Sequence, residues 1–387
     1  MKIAMFSDSY HPYTSGVVRS VETFTHELTE MGHEVFIFAP NYPNCEQEKG
    51  VYRFFSIPSP TNKEFTLAVP FSLSLWTKIK QLQLDVIHVH SPFLLGRLGA
   101  RWAHRLDIPL VFTYHTLYDK YVHYVPLGQN ITKGITQRVT IDFCNQCHKV
   151  VVPTAVIADY LKENGVNVPT EVVPTGIDID EFRRADKQWL RNKYNIPADY
   201  KVLLFVGRLG LEKNINFILK SYQEVVQYYP QTVLVIVGSG PEEENLKTIV
   251  NQSGLNNKVI FTGKLSKEDT VKCYAGSNIF VFASVTETQG LVLAEAKAAG
   301  LPVVAVDAFG VSEMVTNGKD GYLCPLDVNI FTNSLKSILS NGPLCQVMAE
   351  HALKNAEQLS AKQCAKRLER VYYKLLPDYQ LQSKLHG

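Results

Sequence analysis

Lys201-Val202-Leu203-Leu204-Phe205-Val206-Gly207-Arg208-Leu209-Gly210-Leu211-Glu212-Lys213-Asn214 decides the architecture of this chain. Its unbroken apolar run, too short for a helix and with no polar alternation, reads as a strand buried on both faces, which is how parallel strands flanked by helices read. Glycines then punctuate the run, and a helical pattern follows. Working outward, strands at 233–237, 259–261, 279–283 and 303–305 repeat this grammar. The first half does the same, with strands at 3–6, 35–39, 86–89, 110–113 and 150–153 and helical spacing over 17–31 and 94–106. Alternating strands and helices predict an α/β chain of two doubly wound parallel sheets.

A length of 387 residues with 45% hydrophobic content exceeds one comfortable core, in keeping with two domains. Between the halves, Val172-Val173-Pro174-Thr175-Gly176-Ile177-Asp178 has linker punctuation, so the expected domains are 1–173 and 174–364. The tail is helical over 345–376, and residues 365–387 are expected to pack back on the first domain. A formal charge of +2 gives no global electrostatic case for nucleic acid. The N-terminus carries no recognisable export signal and no apolar run is long enough to span a bilayer, so a cytoplasmic location is expected. Seven scattered cysteines suit a reduced compartment. Cys144-Asn-Gln-Cys147-His148 matches a haem-attachment pattern by chance and reads as buried, inert thiols.

The chemistry concentrates where strands end. Arg208 and Lys213 stand five residues apart after the 201–206 strand, at the carboxyl edge where open α/β sheets bind ligands. Together they could neutralise a departing diphosphate, the role a metal ion plays in metal-dependent transferases, so neither cofactor nor metal is expected. After the 279–283 strand comes Ser284-Val285-Thr286-Glu287-Thr288-Gln289-Gly290-Leu291-Val292-Leu293-Ala294-Glu295, with seven residues between its two carboxylates. A helix beginning near Gly290 would turn its free N–H groups toward a phosphate. Glu287 could accept sugar hydroxyl hydrogens, and Glu295 could reach a ribose diol. In the first half, Gly16 opens a helix after a strand and lets backbone N–H groups approach the diphosphate. His115 ends another strand, placed to bond a sugar hydroxyl or the developing charge at the anomeric carbon. His88, His90 and His123 read as packing residues. Gly238-Ser239-Gly240 lacks the third glycine of a dinucleotide fingerprint, since Glu243 stands there, and reads as a turn. That argues against an NAD enzyme.

These motifs together resemble the GT-B retaining glycosyltransferases, in the large family that includes phosphatidylinositol mannosyltransferases and sucrose synthase. GRL-x-x-EKN at 207–214, the two glutamates 287 and 295, and the VPTGID linker carry the likeness, which covers nearly the whole chain. It implies two Rossmann-like domains facing across a cleft. It also implies roles: Arg208 and Lys213 on the diphosphate, Glu287 on the donor sugar, Glu295 on the ribose, and the amides of Gly290, Leu291 and Val292 on sugar and phosphate. Gly16 would meet phosphate, His115 would sit at the reaction centre, and Lys264 would offer backbone groups to the base. Gln289 departs from the aromatic that many members carry, and Ser15-Gly16 replaces Gly-Gly.

Glu-Thr-Gln-Gly and the Tyr-His-Thr-x-Tyr stretch resemble the bacterial diacylglycerol 3-alpha-glucosyltransferases. The implied partners are a nucleotide sugar, read as UDP-glucose, a lipid acceptor and an anionic membrane surface on the inner face of the cell membrane. Residues 63–80, with Phe65, Leu67, Phe71, Leu75 and Trp76 beside Lys63, Lys78 and Lys80, read equally as an interfacial element or as a helix packed on its own sheet. The other readings are the same chemistry on a soluble acceptor, a nucleotide-sugar epimerase, and a non-catalytic sugar-nucleotide binder.

Overall fold

The computed structural model describes residues 1–43, 45–60, 65–118 and 129–376, with side chains at 129–133 set aside. The chain divides into two compact units, Met1–Gly176 with Ala361–Gly387, and Ile177–Ser360. The first holds β1 (Lys2–Phe6), β2 (Glu34–Pro40), β3 (Val51–Phe54), β4 (Ser56–Pro58), β5 (Thr66–Ala68), β6 (Val86–Val89), β7 (Leu110–Thr113), β8 (Lys149–Val152) and β9 (Thr170–Val172). Seven of these form one sheet in the order β3-β2-β1-β6-β7-β8-β9, paired in parallel throughout, while β4 and β5 make a separate antiparallel ribbon.

The second unit holds β10 (Lys201–Val206), β11 (Thr232–Val237), β12 (Val259–Gly263), β13 (Ile279–Phe282), β14 (Val303–Val306) and β15 (Gly321–Cys324), in the order β12-β11-β10-β13-β14-β15. All its pairings are parallel. Every residue of β11 is buried, which is why it reads as a continuous apolar run. Each Leu, Ile or Phe so covered contributes about 1.5–3 kcal/mol of apolar transfer, so the alternating strand and helix pattern and the core have one cause. In each sheet the strand order reverses once, between β1 and β6 and between β10 and β13. Ligand crevices of open α/β sheets form at the carboxyl ends of strands beside such a reversal.

The crossing points between the units fall after Gly176 and Ser360, a few residues from the breaks read at 173 and 364. Past β9 the chain is still tied to the first unit, with Val173 in its core and the Thr175 hydroxyl 2.8 Å from the buried Ser20 hydroxyl. The helix Ala361–Leu375 begins four residues earlier than 365 and seats Cys364, Ala365, Leu368, Val371 and Tyr372 against Val18, Val21, Phe24 and Leu28 of the helix Gly16–Glu30. Residues 377–387 of the expected tail lie outside the described residues.

Residues 63–80 are not one element. The strand β5 ends at Ala68, Pro70 follows, and a helix Leu73–Leu82 starts under a Ser72 cap. Trp76 packs edge-on against Trp102, ring centroids 5.6 Å apart, beneath the Arg105 guanidinium. It belongs to the packed reading. Phe71 and Leu73 are instead 59% and 70% exposed, and Phe55 of the adjoining strand connection is 69% exposed. Lys63 lies outside the described residues, as does His123. Cys144 and Cys147 are buried and free, and burial pushes the Cys144 thiol up to about 12, which leaves both inert.

Candidate functional site

In the second unit the reversal between β10 and β13 gathers the predicted charges. After β10 the chain makes a short turn, Leu211–Lys213, and Asn214 adopts a left-handed conformation at φ 50°. The Asn214 amide donates to the Ala283 carbonyl at 3.0 Å, which staples the β10 loop to the end of β13. This staple brings Lys213 to Glu287: the ammonium donates to Oε1 of the carboxylate, and the two side chains are 14% and 17% exposed. Ser284 donates its hydroxyl to the same Oε1 at 2.8 Å. Both donors land on one oxygen, so Oε2 keeps its acceptor capacity. Burial pushes the Glu287 carboxyl up, but the Lys213 charge and the two hydrogen bonds outweigh it and hold the group below the ordinary carboxylate value.

Sequence reading placed Lys213 and Glu287 in separate roles and did not foresee that they pair. Nor did it single out Asn214, whose signal was its position between a strand loop and a helix start. Arg208 lies exposed on the same loop. Its backbone neighbours are backed by the Gly238-Ser239-Gly240 turn, where Leu209 donates to the Ser239 carbonyl at 3.0 Å. A Cβ on Gly238, whose φ is 133°, would stand 1.9 Å from the Gly207 carbonyl oxygen. Only glycine lets these two loops lie so close. The segment read as a turn is thus the buttress of the Arg208 loop.

The helix after β13 is Leu291–Ala298, entered through Gly290 at φ 81°. Gly290, Leu291 and Val292 therefore form its N-terminal turn, whose amides lack intrahelical acceptors. Glu295 is not a surface residue. It is 2% exposed, and its Oε2 accepts the hydroxyl of buried Tyr274 at 2.7 Å. Lys264 is exposed directly after β12, the edge strand two places from β10, and so stands apart from the Lys213 and Glu287 pair in the sheet.

In the first unit Gly16 begins the helix Gly16–Glu30, and the Ser15 hydroxyl caps it by accepting from Val18 N at 3.2 Å. With no acidic residue in the first turn, the positive end of that helix is uncompensated by its own side chains. His115 follows β7, one strand beyond the reversal. Its Nε2 lies 2.9 Å from His90 Nδ1, and burial pushes its imidazole down to about 3. The ring stays partly exposed at the surface while protein packs densely around it. Asp8, which the sequence reading passed over, accepts from Ser91 Oγ at 2.5 Å and from Leu95 N at 2.8 Å, joining the β1 loop to the start of the helix Leu94–Leu106.

Two family models match this chain, Glycosyltransferase Family 4 over residues 14–181 and Glycosyl transferases group 1 over residues 186–355. An alpha-monoglucosyldiacylglycerol synthase of Streptococcus pneumoniae is 32% identical over 380 residues, 96% of this chain and 85% of that protein. The chain belongs to the group 1 glycosyltransferases. A second alpha-monoglucosyldiacylglycerol synthase, from Acholeplasma laidlawii, is 29% identical to this glycosyltransferase across 97% of it and 98% of the relative. Among solved structures, HepE of Anabaena in complex with UDP superposes with a TM-score of 0.77 at 19% identity, covering 97% of this chain and 100% of that one. That likeness establishes the fold of the glycosyltransferase: two Rossmann-like domains of the GT-B type. Among its described residues, no helix is long and apolar enough to cross a membrane.

Proposed function

We propose that this glycosyltransferase moves glucose, with retention and without a metal, from UDP-glucose to a diacylglycerol-type lipid at an anionic membrane surface. The observation that carries the reading is the Lys213 and Glu287 pair at the strand-order reversal of the second unit, Lys213 standing on the loop that also carries exposed Arg208. Glu287 holds the Lys213 ammonium at the sheet edge, and Lys213 with Arg208 stabilises the leaving diphosphate. The amide turn at Gly290 to Val292 adds the positive end of a helix. Glu287 Oε2 accepts from a sugar hydroxyl, Glu295 holds the ribose, and backbone groups at Lys264 meet the base. Gly16 approaches the phosphate and His115 bonds the sugar. In the transfer, the bond from the anomeric carbon to the diphosphate oxygen breaks as the acceptor hydroxyl forms its own on the same face. The acceptor proton passes to the departing diphosphate oxygen.

Relatives named for making alpha-monoglucosyldiacylglycerol support the lipid acceptor, and an α-product from an α-linked nucleotide donor is retention. The uridine base is supported by the fold relative bound to UDP. Exposed Phe55, Phe71 and Leu73, with exposed Lys80 on the helix that Leu73 begins, supply apolar and basic groups for docking on anionic headgroups. The test is incubation with radiolabelled UDP-glucose and mixed bacterial lipids. Label in an organic-phase glucolipid supports the reading. Label only in a water-soluble glucoside assigns a soluble acceptor, free labelled glucose with UDP is transfer to water, and a labelled sugar of changed configuration would assign an epimerase.

A further inference from the structure

His88, His90 and His115 stand in a column of which the reading above uses only one end. His88 and His90 are two residues apart along β6 and its end, so their side chains leave the same face of the sheet. Their rings lie with centroids 4.2 Å apart and planes tilted by 33°, and the His90 and His115 rings lie nearly parallel, 5.2 Å apart with planes at 19°. His88 is pinned at both nitrogens, Nδ1 lying 2.6 Å from the Tyr372 hydroxyl and Nε2 lying 2.6 Å from Thr113 Oγ1. Thr113 is the last residue of β7, two before His115. His88, one end of the column, is thus held between the helix Ala361–Leu375 and β7, the strand that His115 follows.

Burial keeps all three rings neutral, His88 and His115 being pushed down to about 3 and His90 well below its ordinary value. A neutral imidazole has one N–H and one bare nitrogen, so the 2.9 Å contact between His90 Nδ1 and His115 Nε2 has a direction. His90 Nε2 is buried with no hydrogen-bond partner. If His115 donated from Nε2, the hydrogen of His90 would have to sit on that buried, partnerless Nε2. An orphaned buried N–H is costlier than an unused lone pair. The hydrogen therefore sits on His90 Nδ1 and points at His115 Nε2.

We propose that His90 is a positioning residue for the transfer reaction, its Nδ1–H locking His115 in the Nδ1–H tautomer so that His115 meets the donor sugar as a hydrogen-bond donor. The proposal rests on the reading that places His115 at the sugar. It explains why a ring that does not titrate near neutral pH is useful there: a fixed N–H dipole stabilises an oxygen or a developing negative charge without any proton leaving.

The test uses the full chain labelled with ¹⁵N-histidine, as wild type, His90→Asn and His90→Leu. The Asn amide nitrogen falls near the position of Nδ1 and can still donate, whereas Leu fills the space without a donor. Long-range ¹H–¹⁵N correlation, with the His115 signals assigned by their loss in His115→Ala, reads the tautomer. Steady-state assays with UDP-glucose and diacylglycerol vesicles read kcat and KM, and circular dichroism confirms folding. The expected result is an Nδ1–H His115 in wild type and in His90→Asn, which keeps most of its turnover. His90→Leu should show mixed tautomers and lose about tenfold or more in kcat, with little change in donor KM. An Nε2–H His115 in the wild-type spectrum, or equal kcat losses in the Asn and Leu variants, overturns the proposal. Wild-type turnover by His115→Ala would instead remove His115 from the chemistry, which is a failure of the underlying reading, while the spectrum still judges the His90 to His115 hydrogen bond on its own.

Discussion

In the first unit imidazoles held neutral by burial stand at the end of β6 and after β7, with the Asp8 carboxyl tied to Ser91 and Leu95, whereas the second unit sets an ammonium against a carboxylate. Both edges lie by a strand-order reversal, so topology alone does not account for the contrast. The difference follows the task proposed for each. A diphosphate leaving with negative charge calls for fixed cations, and the second unit supplies Lys213 restrained by Glu287 with exposed Arg208 on the same loop. A sugar hydroxyl calls for oriented dipoles, which neutral imidazoles supply.

The sharpest way to break the comparison is to remove the second unit's cations. Lys213→Ala and Arg208→Ala are each expected to slow turnover about a hundredfold, on the order of 3 kcal/mol of barrier, with the fold intact by circular dichroism. Steady-state kcat is the measurement. Near-wild-type values in both variants would mean that the diphosphate is stabilised elsewhere.

The first unit's surface is tested next. Replacing exposed Phe71 and Leu73 by Ser should weaken co-sedimentation with anionic vesicles about tenfold, since each removes an apolar group free to enter the headgroup region. Raising salt should weaken binding further through the lysines, over a Debye length of roughly 8 Å. Trp76→Phe should leave vesicle binding alone, because Trp76 packs on Trp102. Undiminished binding by the double Ser variant would move the docking surface off this ribbon and helix.

A pH series separates the two chemistries. An unfolded histidine titrates near its ordinary 6.5, while folded His88 is pushed down to about 3. Below 6.5 the unfolded chain therefore binds a proton that the folded chain refuses, so this stability is full above 6.5 and is lost as pH falls toward 3. Each such histidine contributes a slope of about 1.4 kcal/mol per pH unit in that window. Glu287 acts in the same direction but lower, its contribution being present above the ordinary 4.5 and lost as pH falls below it. Between 6.5 and 4.5 the imidazoles set a slope that lowers stability as pH falls, while the Asp8 carboxyl, raised by burial, acts in the opposite direction. Urea midpoints at pH 7.0 and 5.5 should show it, and His90→Asn should flatten it. An unchanged slope in that variant would contradict a buried neutral His90.

Much of this was legible in the sequence because it follows from local chemistry. Strands buried on both faces are unbroken apolar runs, as at 201–206, and the loops after them carry the charges. What stayed hidden depends on which strands become neighbours. Nothing in the spacing says that β10 lies beside β13, so the pairing of Lys213 with Glu287 could not be read from residues 74 apart. The histidine column depends likewise on β6 lying beside β7 and on Tyr372 arriving from the far end of the chain. The short ribbon of β4 and β5 was missed because three-residue strands carry no periodicity of their own.

The smallest expected effect is none at all, on chelation. If Arg208 and Lys213 do the neutralising, saturating EDTA should leave kcat unchanged within error, and added Mg²⁺ should not raise it. The acidic cluster nearest the Arg208 loop is Glu242 to Glu244, and it is already engaged: Lys247 lies 2.9 Å from both Glu243 and Glu244, and Glu242 accepts from Asn245 at 2.9 Å. To bind a divalent ion there, the protein would have to give up those contacts at the first turn of a helix, where the carboxylates already favour the dipole. An enzyme using that cluster would lose activity in EDTA and regain it with Mg²⁺ or Mn²⁺. That outcome would transfer the stabilisation of the leaving diphosphate from the side-chain cations to a metal, and the contrast between the two sheet edges would then no longer be one of side chains alone.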